Sequence, residues 1–107
     1  MARLAFTVEQ NDNDTPLSPV FGKAPWLLVI DSEAGQISYV RNVSWTSEWI
    51  CTTALVHAVD VLACAYIDRT ALRRLKDAGI DVRLASCSRP ATELAAGIAG
   101  LPPATEF

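Results

Sequence analysis

The apolar run Trp26–Ile30 is followed, after Ser32-Glu33-Ala34-Gly35, by the alternating stretch Gln36–Val40, and this pairing narrows the folds open to the chain. So short a connection, with Gly35 free to take positive φ, returns the chain antiparallel as a hairpin. Trp26–Ile30 is almost wholly apolar, as in a strand covered on both faces. An earlier short strand, Arg3–Val8, precedes it.

Beyond the hairpin the pattern changes to alternating helices and strands. Ser44 to Ser47 supply cap candidates for a helix running to about His57, with Ile50, Thr53, Ala54 and His57 on one face. Val59–Ala65 is a buried strand. Asp68 is suited to cap a helix over Arg69–Ala78, with Leu72 and Leu75 inward and Gly79 just past its end. Ile80–Ala85 is the last strand, and Ser88 and Pro90 open a final helix carrying Leu94 and Ile98. Pro102-Pro103 end regular structure. The order β-β-β-α-β-α-β-α implies an α/β fold with a five-stranded mixed sheet, its later strands parallel through helical crossovers.

At 107 residues, half of them hydrophobic, the chain is expected to form one domain over 1–107, irregular after about 100. A net charge of −3 argues against nucleic-acid binding, because phosphate contacts need a basic surface. The basic group Arg69, Arg73, Arg74 and Lys76 reads as the wet face of a helix. Arg3 is followed by too short an apolar stretch for a signal peptide, and no run is long enough to span a bilayer, so a cytoplasmic protein with no membrane partner is expected. The three cysteines, Cys51, Cys64 and Cys87, form no CxxC and should stay reduced there.

With the first strand, the third and the last two parallel, the ligand edge of the sheet lies at their C-terminal ends. The polar loop 9–25 leaves the first strand there. Cys51 lies early in the first helix, Cys64 near the end of its strand and Cys87 just past the last strand. Thiolates favour soft metals and Fe–S clusters, and Cys87, before a helix, lies near the positive end of a dipole. The same thiols also suit core packing, since free Cys behaves as a small hydrophobe. His57, the only histidine, falls at the far edge with a capping or surface role. Trp45 and Trp49, at i and i+4, can share a helix face, either as a core lid or as an apolar wall around a bulky ligand. Asp31, Asp60 and Asp68 are the carboxylates from which a nuclease-type metal site would have to be built, but Asp31 and Asp68 have hairpin and capping duties.

The stretches LSPVFGKAPWLLVID (17–31), EAGQI (33–37) and IDRTALRRLKDAGIDV (67–82) together resemble the dinitrogenase iron–molybdenum cofactor biosynthesis family, the small NifX/NafY-like domain. The resemblance runs from about Arg3 to Ile98, and SPVFGKAP is its most specific part. It implies a ribonuclease H-like fold and a non-enzymatic role in carrying an Fe–S or Fe–Mo type cluster among nitrogenase assembly proteins. It also implies that the loop with Phe21 and Gly22 helps wall the cluster site, to which position at the sheet edge adds Cys51 beside it and Cys87 and Cys64 as metal ligands. Where many members read HFGRAP this chain has Val20, which removes a histidine ligand, and Trp49 and Cys64 stand where members tend to have glycine. Three functions follow: a cluster carrier, an interaction or regulatory module of the same fold without a cluster, and, last, a nuclease-like enzyme.

Overall fold

The computed structural model describes residues 3–12 and 14–104. Strand β1 (Arg3–Val8) runs up the middle of a five-stranded sheet of order β3-β2-β1-β4-β5. Strands β2 (Trp26–Asp31) and β3 (Gln36–Arg41) form the expected hairpin, closed by Asp31↔Gln36, and β2 lies antiparallel to both neighbours. Strands β4 (Val61–Cys64) and β5 (Asp81–Leu84) run parallel to β1. This is the five-stranded mixed sheet that the element order implied and the ribonuclease H-like arrangement that the family resemblance implied.

Helices α1 (Ser47–Val56) and α2 (Arg69–Asp77) cover one face, where Ile50, Cys51, Ala54, Leu72 and Leu75 meet Ala5, Leu27 and Leu62. The other face buries Leu4, Phe6, Val8 and Leu28 under Leu17 and under Ala91 and Leu94 of α3 (Ala91–Ala96). Alternation along β1 sends its even residues to the second face and Ala5 to the first, as a period of two requires.

Two segments that read as irregular prove to be fastened. The loop after β1 doubles back so that Leu17, 1% exposed, bridges Val8, while the Ser18 amide donates to the Thr7 carbonyl at 2.7 Å. One apolar residue in a polar stretch leaves no periodicity, so its burial is invisible to pattern reading. Residues 101–104 also run beside β5: Ala104 donates to Val82 and Leu84 donates to Pro102, both at 2.9 Å. They thereby satisfy backbone groups that an open edge would expose.

Both crossover helices end in the same hydrogen-bond pattern. In α2 the amide of Ile80 donates to Leu75 and that of Gly79 to Lys76, with Gly79 at φ +84°. In α1 Val59 donates to Ala54 and Ala58 to Leu55, but here Ala58 occupies the left-handed position, at φ +53°. A Cβ in that region costs about 1–2 kcal/mol, partly offset by the greater freedom glycine has in the unfolded chain. Because Ala58 is exposed, no packing is lost on truncation. Ala58→Gly is therefore expected to stabilise the protein by roughly 0.5–1 kcal/mol, read as a higher midpoint in thermal or urea unfolding.

Candidate functional site

Three segments meet where β1 and β4 end. Residues 19–23, 45–47 and 66–68 enclose a cleft of ≈790 Å³. The first is a 3-10 turn, Phe21–Lys23, anchored by Phe21, which is 2% exposed in the core shared with Ile50. The second leads into α1 and the third into α2.

The FG pair of the loop has a steric reason. A Cβ on Gly22 would lie 2.6 Å from Ser47 Oγ and 3.0 Å from the Ser47 amide nitrogen. Only glycine lets the turn lie this close to the start of α1. Thr46 caps α1, its Oγ1 accepting from the Trp49 amide at 3.2 Å. Asp68 caps α2 as the sequence suggested, Oδ2 accepting from the Ala71 amide at 3.0 Å. Its other oxygen accepts from the Ser47 hydroxyl at 3.0 Å, which ties the two helix starts together. The cleft thus has two helix N-termini and Lys23 on its border, all favourable to negative charge, while both Asp68 oxygens are already engaged.

The mouth is apolar. Val20, Trp45 and Tyr66 line it and are 53, 48 and 73% exposed. Trp45 and Trp49 do not share a helix face, because α1 starts only at Ser47. Trp45 sits in a left-handed turn at φ +55° and lines the cleft, whereas Trp49 packs on the core.

Of the residues singled out from sequence, Phe21 and Gly22 line the cleft, and the cysteines do not. Cys51 is 1% exposed, with its thiol 3.9 Å from the Ala71 carbonyl. Cys64 is fully buried, its thiol 3.9 Å from the Arg83 carbonyl. Burial pushes the Cys51 thiol up to about 11 and the Cys64 thiol up to about 12. Cys87 is partly exposed on the turn between β5 and α3. Among the described residues no group of three His, Cys, Asp or Glu side chains converges on one point. Asp31 and Asp60 both engage Arg3 at the opposite edge, as does the His57 carbonyl, so neither carboxylate joins Asp68.

Sequence reasoning missed Asn42 and Tyr66; of its two alternatives for the tryptophans, Trp45 takes the apolar wall and Trp49 the core. Asn42 is fully buried and bonds both the 22–24 backbone and the Trp45 amide. An asparagine between a strand and a helix start is ordinary loop composition, and nothing in one sequence marks it as buried.

The thiol shifts make a pH prediction. The unfolded chain gives up these two protons near the ordinary thiol value of 9.0, the folded chain only near 11 and 12. Between those limits the folded state holds more protons, so stability is intact below pH 9.0 and falls as pH rises towards 12. Urea unfolding across that range should show the loss, and Cys64→Ala should flatten it. In native protein at pH 8 only Cys87 should react with a thiol reagent; modification of Cys64 without unfolding would contradict its burial.

No curated protein matches the chain. Several solved structures share its fold. The apo form of the orange protein from Desulfovibrio gigas superposes with a TM-score of 0.81 at 23% identity, covering 98% of this chain and 94% of that one. A Thermotoga protein described as belonging to the DUF35 family superposes with a TM-score of 0.81 at 24% identity, covering 100% and 97%. The model of the family described as dinitrogenase iron-molybdenum cofactor matches residues 2–99, nearly the whole length, and with the SPVFGKAP turn now seen to wall a cleft, the chain belongs to that family.

Proposed function

We propose that this protein is a non-catalytic carrier that holds an Fe–S or Fe–Mo type cluster in the cleft during cofactor assembly, in the reducing cytosol. The observation that carries the reading is the lining itself. The cleft offers apolar side chains, two helix N-termini, one lysine and one carboxylate, Asp68, whose oxygens are turned to Ser47 and the Ala71 amide, and no thiol or imidazole. A site so built holds a preassembled anionic cargo, complete with its own sulfide ligands, by contact and electrostatics. With no bond from protein to metal, release needs no ligand exchange, which suits a carrier. Family membership supports the class of cargo.

A second reading keeps the thiolates: Cys87, with Cys64 as its neighbour on the same sheet edge, ligates the metal directly. The partial exposure of Cys87 favours it; the full burial of Cys64 and its raised thiol value weigh against it. A third possibility, an interaction module with no cargo, remains if nothing binds.

Anaerobic incubation with ferrous iron, sulfide and tetrathiomolybdate, followed by desalting, metal analysis and a visible spectrum, separates these readings. Val20→Asp puts a negative charge at the mouth and should lower retained metal about tenfold, close to 1.4 kcal/mol, while Cys87→Ser should leave it unchanged. The reverse pattern would establish the thiolate site. A wild type that retains no iron or molybdenum would favour the interaction module.

A further inference from the structure

Resting on the cleft reading above, we propose that Asn42 is the positioning residue of the site: its side chain locks two of the three walls into one unit and sets the Trp45 indole at the mouth.

Asn42 is 0% exposed, and its amide is fully used. Nδ2 donates to the Ala24 carbonyl at 3.0 Å and to the Gly22 carbonyl at 3.4 Å. Oδ1 accepts from the Trp45 amide at 2.9 Å. Its own amide donates to the Pro25 carbonyl at 2.9 Å, which fixes the side chain's root. One short planar group with two donors and an acceptor is what this junction needs. Aspartate lacks the donors, serine cannot span both walls, and glutamine adds a methylene to a filled space.

The clamp explains why a bulky residue tolerates the left-handed region. Trp45 at φ +55° is strained, and its amide is held by Asn42 Oδ1. Such strain persists where surrounding structure overdetermines it. Here the bond fixes the backbone from which the half-exposed indole lines the cleft. The same side chain holds the carbonyls on either side of Lys23 and so the turn that presents Val20. Two of the three exposed apolar residues at the mouth are therefore set by a single buried amide. Preorganisation of this kind lowers the ordering cost of binding.

The test uses the full chain with Trp26 and Trp49 replaced by phenylalanine, so that Trp45 alone reports, and anaerobic tetrathiomolybdate as the probe. Asn42→Ala should lower Trp45 anisotropy, speed exchange of the Trp45 amide, and weaken tetrathiomolybdate binding roughly tenfold in the folded protein. Trp45→Gly relieves the backbone strain, so it should fold, and it should lose affinity to a similar degree. If Asn42→Ala does not fold, Asn42→Ser, which cannot span both walls, decides the matter by the same exchange and affinity readings. A purely structural role predicts lower melting temperature with unchanged affinity of the folded protein, and that result would overturn the proposal, as would unchanged exchange at Trp45. A wild type that binds no tetrathiomolybdate overturns the cargo reading instead; the clamp is then upheld or overturned by exchange and anisotropy alone.

Discussion

The approach of the Gly22 backbone to the first residue of α1 is the contact on which the site depends. A methyl group at this position would press on a backbone nitrogen as well as a hydroxyl, so the neighbour cannot simply rotate away. With hydrogen in its place, the 3-10 turn and the helix start lie side by side. Phe21 then drops into the core beneath α1, and Val20 faces out. The opposite wall is brought in by Asp68, which caps α2 while accepting from Ser47. The cleft is thus a by-product of how two helices begin.

The sheet places these beginnings together. Because β2 alone runs against the others, the loop before it and the loops after β3 and β4 all emerge at one edge. The candidate cleft lies there, while ion pairs and hydrogen bonds fasten the opposite edge. Arg3 donates there to the His57 carbonyl and pairs with Asp31, and its amide donates to Asp60. The Asp31 carboxyl is held below its usual range, chiefly by the Ala34 amide of the hairpin turn, with burial opposing. Acidic groups that could have suggested a metal site therefore serve as turn and strand fasteners.

Much of this fold is legible in the sequence because its signals are local. Asp68 reads as a cap and Gly79 as a helix stop, and both do just that. The hairpin reads from apolar run, turn and alternation. Leu17 and residues 101–104 are missed because each acts through long-range pairing that has no period. The site is legible only in part. Phe21 and Gly22 are found through the loop motif that carries the resemblance. Asn42 is not, since a buried amide is a property of context, and Trp45 is named as one alternative for an apolar wall but on a helix face, since tryptophan is a poor guess for positive φ. Cysteine position along the strands was readable, but its direction was not: the Cys64 thiol turns into the layer beneath the helices and away from the cleft lining.

The central claim is that cargo is held in the cleft by its walls rather than by protein thiolates. Amide chemical shifts followed during anaerobic titration with tetrathiomolybdate test this most directly, because each wall and the Cys87 turn report separately. The account predicts the largest shifts at Gly22, Trp45, Ser47 and Ile67, with residues 85–88 little changed. Shifts confined to the Cys87 turn, with the cleft silent, would contradict it.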